Sequence, residues 1–243
     1  MLIEGKNAVL EALQAGKTIN KLLVDQSLKN RRDKIVDLAR ANKIKIEFLP
    51  KNILDKKSKT SHHQGFIAES VDFVYCELDD ILERAYIKNE KPFIVLLDEI
   101  EDPHNLGAII RSCECAGVHG IIITKNRCAQ INETVFKTSA GAISNMLVCK
   151  VTNLKEAITY LKEKDVFIFA TDANGENIYD KKLDCPIGLI IGSEGFGIKP
   201  SLIKYCDGTL ALPLKGKVNS LNASVACAIT IFEVLRQREA CHD

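Results

Sequence analysis

The chain is poor in the features that would place it in a membrane, a secretory pathway or a metal-binding class. No stretch of its 243 residues approaches the roughly 18 consecutive apolar residues needed to cross a bilayer. The opening "MLIEGKNAVLEALQAGK" carries Glu4 and helical periodicity where a secretory leader would carry a basic start and an apolar core. Nine cysteines are scattered without a C-x-x-C, and the nearest pair, Cys113 and Cys115, would point to different sides of a helix. A zinc site and a disulfide framework are both disfavoured, and buried reduced thiols in a cytoplasmic protein are expected. Internal repeats and low-complexity tracts are absent, as are Walker A and the dinucleotide fingerprint G-x-G-x-x-G. Neither a nucleophile–base pair nor that fingerprint stands at a strand end, which argues against a small-molecule α/β enzyme.

What is present is an ordinary globular composition, 46% hydrophobic and 27% charged, with a formal net charge of +1. The charge is uneven. Residues 1–75 hold 14 Lys/Arg against 9 Asp/Glu, whereas the remainder holds 19 against 23. A basic first part beside an acidic body suggests an anionic partner for the first part.

Periodicity predicts two domains. In residues 1–75, "GKNAVLEALQAG" reads as a helix with Val9, Leu10 and Leu13 inward and Gly16 as its stop. "INKLLVD", "KIKIEFL" and "GFIAESVDFV" read as strands, and "RRDKIVDLARAN" as a helix. "PKNILDKKSKTSHHQG" reads as a long basic loop, a length that usually carries function. Residues 76–89 are expected as a helix-bearing linker, with the second domain from residue 90. There "FIVLLD", "GIIIT", "VFIFAT", "IGLIIGS" and "TLALPL" are continuous apolar runs, suited to strands covered on both faces. Helical patterns alternate with them: "NLGAIIRSCECAG", "NETVFKTSAGAI" and "NLKEAITYLKEK". The fold class is therefore α/β, a small α/β N-terminal domain followed by a parallel-sheet domain.

In open parallel sheets ligands lie beyond the carboxyl ends of the strands. Three loops there are unusually polar. "DEIEDPHNLGAIIRS" places Asn105 where a helix cap belongs and sets Arg111 roughly 140° from Leu106, away from the core. "IIGSEGFGIKP" brackets Ser193 and Glu194 with Gly192 and Gly195, which allow close backbone approach or simply a tight turn. "LKGKVNSLNASVACAI" concentrates Asn219, Ser220 and Asn222, one of which caps the following helix and leaves the others for the crevice.

In order, spacing and wording, "DPHNLGAIIRSCECAGVHGII", "IIGSEGFGI" and "LPLKGKVNSLNASVACAI" resemble the three motifs of the SpoU (TrmH-like) family of RNA ribose 2′-O-methyltransferases. The resemblance covers residues 93 to about 238. "EGKNAVLEAL" and "HQGFIA" resemble the L30e-like RNA-binding domain of many members, an arrangement most similar to members that methylate a guanosine of 23S rRNA in the peptidyl-transferase centre. The resemblance implies a trefoil-knot (SPOUT) methyltransferase domain, S-adenosylmethionine as cofactor, RNA as substrate, a homodimer through the knotted domain, and no metal. It places cofactor contacts at Gly192, Gly195, Leu212, Ser220 and Leu221, and the chemistry at Arg111 with Asn105, Glu194, Ser220 and Asn222. Arg111 would orient or activate the ribose hydroxyl and contact the adjacent phosphate, because a guanidinium stays protonated in ordinary surroundings. Lys125, Arg127, Lys215 and Lys217 would help a polyanion dock. A tRNA ribose is the second substrate expected. A non-catalytic RNA-binding factor would be expected to have lost Arg111, Asn222 or the "GSEG" glycines, all of which are retained.

Overall fold

A computed structural model describes residues 2–14, 19–42, 44–70, 73–193, 195–217 and 220–240. Two compact units form, 1–74 and 75–243.

The first unit runs β1 (Leu2–Glu4), α1 (Lys6–Gln14), β2 (Ile19–Asp25), α2 (Lys34–Ala41), β3 (Lys45–Leu49), α3 (Lys51–Lys57) and β4 (Phe66–Ser70). Its four-stranded sheet has the order β1-β4-β2-β3. Strand alternation divides the core between the two faces. Val9 and Leu13 of α1 and Ile35, Val36 and Ala39 of α2 pack on Leu22, Val24, Phe66 and Ala68. On the other face Leu23 and Ile67 meet Leu54.

Leu54 overturns the expectation of a long irregular loop after β3. "KNILDKK" folds as α3 because one fully buried leucine anchors it over the sheet's second face. The turn that follows is held by Glu4, whose carboxylate accepts hydrogen bonds from Ser58 Oγ (2.6 Å), Lys59 N (2.7 Å), Thr60 N (3.2 Å) and Thr60 Oγ1 (2.6 Å). Burial alone would raise the Glu4 pKa, but these donors outweigh it and hold it at about 2. His63 is buried; its Nε2 donates to Asp55 (2.8 Å) and its Nδ1 accepts Gly65 N–H (3.0 Å). It supports the turn and offers nothing to an outside partner. The expected stop at Gly16 lies outside the described residues.

The second unit runs α4 (Leu78–Ile87), β5 (Phe93–Asp98), α5 (Pro103–Cys115), β6 (Gly120–Thr124), α6 (Glu133–Thr138), β7 (Leu147–Val151), α7 (Leu154–Glu163), β8 (Phe167–Asn177), β9 (Ile187–Gly192), α8 (Pro200–Ile203), β10 (Gly208–Ala211) and α9 (Ala223–Ala240). Its six strands have the order β10-β8-β9-β5-β6-β7, with every neighbouring pair parallel. The segment 76–89 is not a linker. Ile81 and Leu82 of α4 belong to the same core as Ile94, Leu96 and Ile122 of the sheet and Ile158 of α7. Strand β7 falls between two helical patterns and was not expected. "LVCKV" lies at the sheet edge, where alternation with a lysine is tolerated.

The amino ends of the strands are fastened by long polar side chains. Arg238 of α9 donates to the carbonyls of Lys91, Pro92 and Cys185 at 2.8–2.9 Å and covers the Phe93 ring. Buried His119 accepts Phe93 N–H through Nδ1 and donates through Nε2 to Glu90, both at 3.0 Å, and burial lowers its pKa. With that edge fixed, the carboxyl edge is where the polar loops gather. Among the described residues no helix is long and apolar enough to cross a membrane.

Candidate active site

The loop after β5 turns into α5 at Pro103. Asp102 caps the helix by accepting His104 N–H at 2.8 Å. The Asp-Pro pair is itself a start signal, since proline at the first helical position gives up an amide that has no partner there. Asn105 is therefore not the cap. It stands inside the first turn, and its side chain reaches across to the start of α9. Leu106, Ile109, Ile110 and Cys113 face the core. Gly107 lets α5 approach α6, because a Cβ there would lie 1.8 Å from Thr138 Oγ1. Arg111 is exposed on the outer face, as expected.

Gly192 ends β9. A Cβ at this position would lie 2.3–2.5 Å from backbone atoms of Gly197 and Ile198. The loop folds back on itself there: Ser193 and Gly197 form a bridge, Gly197 N–H donates to Ser193 O (2.9 Å), and Gly197 has φ +65°. The glycine is needed first by its own loop, so any substitution strikes the backbone before it reaches a ligand. Gly195 is different, with open space where a Cβ would be. Glu194 and Asn219 lie outside the described residues.

After β10 the chain passes Leu212, Leu214, Ser220 and Leu221 to α9. Of the candidate caps, Asn222 performs that role: its Oδ1 accepts Ser224 N–H (2.9 Å) and Val225 N–H (3.3 Å). Its other end, Nδ2, donates to Asn105 Oδ1 at 2.9 Å. One side chain thus starts the last helix and ties it to the first turn of α5, 117 positions away.

Two cavities open between these loops. The first, ≈260 Å³, is walled by Ile191, Gly192, Leu210, Leu212, Ser220 and Leu221, with Thr171 and Asp172 of β8 closing it. The second, ≈300 Å³, is lined by Glu99, Asp102, Asn105, Gly195 and Phe196. Ser193 and Ala223 line both. The Ser193 hydroxyl is buried without a hydrogen-bond partner among the described residues. A hydroxyl so placed in a mainly apolar cavity is free to hydrogen-bond a bound molecule. Apolar walls suit an adenine ring and the aliphatic chain of methionine, and the Asp172 carboxylate suits a sulfonium cation, so the lining matches the chemistry of S-adenosylmethionine.

Of the expected cofactor contacts, Gly192, Leu212, Ser220 and Leu221 line the first cavity and Gly195 the second. Asn105 and Asn222 are joined, whereas Arg111 lines neither cavity. At about 100° per residue it lies some 120° around α5 from Asn105. Thr171 and Asp172 escaped sequence reading because "TDANGEN" looks like a turn, yet β8 continues through it to pair with β10 across a register shift. Asp98 escaped as well. It is 2% exposed, and its Oδ2 accepts Lys199 N–H at 3.0 Å, anchoring the far end of the loop after β9. Arg127 lines a third cavity and Lys217 a fourth; Lys125 and Lys215 are exposed and line none of these.

Comparison with known proteins agrees with this geometry. Residues 92–232 match the SpoU rRNA Methylase family, and residues 2–73 match the domain described as RNA 2′-O ribose methyltransferase substrate binding. A Bacillus subtilis protein, named as the TrmH family tRNA/rRNA methyltransferase YacO, is 41% identical over 96% of this chain and 94% of its own length. A Staphylococcus saprophyticus protein named to the same family is 38% identical over 100% of this chain and 98% of its own. Among solved structures, the SpoU methyltransferase AviRb of Streptomyces viridochromogenes, in complex with AdoMet, superposes with TM-score 0.78 at 24% identity, over 99% of this chain and 91% of that one. An AdoMet-bound rRNA methyltransferase of Sinorhizobium meliloti does so with TM-score 0.69 at 22% identity, over 97% and 86%. The chain belongs to the SpoU family of RNA methyltransferases, whose methyl donor is S-adenosylmethionine.

Proposed function

We propose that this protein methylates a ribose 2′-hydroxyl of ribosomal RNA, with a guanosine of 23S rRNA in the peptidyl-transferase centre as the target. The observation that carries the reading is the pair of cavities that share Ser193 and Ala223, with Asn105 of the second held by Asn222 at the start of α9. One is suited to the cofactor; the other opens beside it for the acceptor. When bound, S-adenosylmethionine supplies an electrophilic methyl on a sulfonium. The chain's own residues do the rest. Leu212, Leu221 and the bare backbone at Gly192 shape the cofactor cavity, Ser193 offers its unpaired hydroxyl, and Asp172 favours a cation. Asn105, held by Asn222, lines the acceptor side.

Arg111 is assigned to orient the 2′-hydroxyl and grip the neighbouring phosphate, fork to oxygen. Because it lines neither cavity of its own chain, its placement favours a homodimer whose second copy completes the site. Val225, Ile229 and Phe232 follow one another at helical spacing on the outer face of α9 and are 36–46% exposed, an apolar stripe that a second copy would cover. The first unit, with Lys51, Lys56, Lys57 and Lys59 on and beside α3, is assigned to RNA selection.

Purified protein incubated with methyl-labelled S-adenosylmethionine and separated 23S, 16S and transfer RNA fractions should label 23S RNA at one guanosine ribose. Label confined to tRNA would overturn the target, and the absence of label in every fraction would overturn the reading.

A further inference from the structure

A further cavity of the second unit adjoins the site just described, sharing Glu99 with the acceptor cavity. It measures ≈550 Å³ and lies at the carboxyl ends of β5, β6 and β7. Its lining includes four cations, Arg127, Lys155, Lys199 and Lys204, against two carboxylates, Asp98 and Glu99. The carboxylates are already engaged. Glu99 takes Lys199 Nζ at 2.7 Å and Arg127 Nη1 at 3.1 Å, and these two partners hold its pKa below the usual carboxylate value. Asp98 is buried beneath them. Lys155 lies over the Tyr205 ring at 4.7 Å, and neither it nor Lys204 makes an ion pair among the described residues. The basin therefore presents surplus positive charge.

Two further observations set the basin apart from an ordinary solvated surface. Glu99 has φ +58° and Arg127 has φ +54°, left-handed conformations that turn the chain sharply after each strand. They follow β5 and β6, and their side chains pair with one another in the wall of the basin. Glu99 also lines the acceptor cavity. The three cavities are therefore neighbours along the carboxyl edge of the sheet: the cofactor cavity shares Ser193 with the acceptor cavity, which shares Glu99 with the basin.

We infer that the basin takes the phosphodiester backbone of the RNA strand flanking the target ribose, with Lys155 and Lys204 as its phosphate contacts and the Glu99–Arg127–Lys199 cluster as its rigid floor. The inference rests on the RNA methyltransferase reading and extends it to a subsite. A strand entering here would lay its next nucleotides beside Asn105, so the basin fixes the direction in which RNA crosses the site. Phosphate contacts of this kind set register without reading sequence.

The test uses the full-length protein and a mixed-sequence 20-nucleotide single-stranded RNA, with affinity followed as a function of salt. The Lys155→Ala/Lys204→Ala protein should bind more weakly. Its log–log salt slope should flatten by about 1.4, near 0.7 for each single-strand phosphate that a lysine no longer neutralises. Its affinity for S-adenosylmethionine should be unchanged. A control of equal charge, Lys88→Ala/Lys164→Ala, alters lysines beyond the carboxyl ends of α4 and α7, at the opposite edge of the sheet, and should leave the slope as it was. Unaltered slope in the Lys155→Ala/Lys204→Ala protein, or equal flattening in the control, would overturn the basin while leaving the methyltransferase reading intact. Failure of the unaltered protein to bind RNA in a salt-dependent way would overturn both.

Discussion

The turn after α3 in the first unit and the loop after β9 in the second are both candidate contact surfaces, yet they are held in shape by different forces. The first is organised by charge. A single carboxylate, Glu4, collects four hydrogen bonds from Ser58, Lys59 and Thr60 and so fixes the backbone that carries Lys59. The second is organised by close approach. Gly192 runs against Gly197 and Ile198 with no room for a methyl group. A surface built on charge should respond to pH and salt and tolerate changes of shape. One built on contact should do the reverse.

The sharpest way to break the contrast is to crowd the second loop. Gly192→Val should lower stability by about 3 kcal/mol or more and abolish cofactor binding, since backbone atoms cannot give way as a flexible side chain can. Thermal unfolding and calorimetry would report both. Gly195→Ala, where space is open, should leave both nearly unchanged.

A smaller effect is expected where the two ends of the site are tied. Asn222→Ala removes both the cap of α9 and the donor to Asn105 and should cost about 1 kcal/mol or more in chemical denaturation, whereas Asn222→Asp keeps the acceptor for Ser224 and Val225, gives up only the donor to Asn105, and should cost less. Equal losses would show that the cap is not what Asn222 contributes.

The smallest effect belongs to the charged turn. The folded pKa of Glu4, about 2, lies below its reference value of 4.5. Its stabilisation is therefore complete above about pH 4.5 and disappears as the pH falls toward 2. Glu4→Gln should cost about 0.5 kcal/mol at neutral pH, allowing for solvent screening of a partly exposed group. It should also flatten the acid limb of the stability profile in that window. An acid limb of undiminished slope would remove Glu4 as its origin.

Much of this architecture is legible in the chain. The apolar runs at 93–98, 120–124 and 187–192 predict strands whose observed bounds agree closely, because both faces of those strands are buried and no alternation blurs them. What stays hidden depends on long-range partners. "LVCKV" and "LIE" are too short or too mixed to declare themselves before a neighbouring strand supplies their hydrogen bonds. "KNILDKK" offers a single core residue. The Asp102–Pro103 start of α5 was readable and outranks Asn105 as a cap by the usual rules. The motifs identify Arg111 and Asn222 as candidates. No local pattern announces that Asn222 would bond Asn105, that β8 would carry Asp172 to the cofactor cavity, or that Glu99 and Arg127 would pair.

The most direct test of the proposed chemistry is single-turnover methylation of 23S rRNA by the Arg111→Ala protein, with cofactor affinity measured alongside. Arg111 is exposed and lines neither cavity of its own chain, so stability and S-adenosylmethionine binding should stay within a few-fold of the unaltered protein. Methyl transfer should fall about a hundredfold or more, the signature of a contact made in the transition state. Near-normal transfer by Arg111→Ala would contradict the assignment of Arg111 to the reacting ribose.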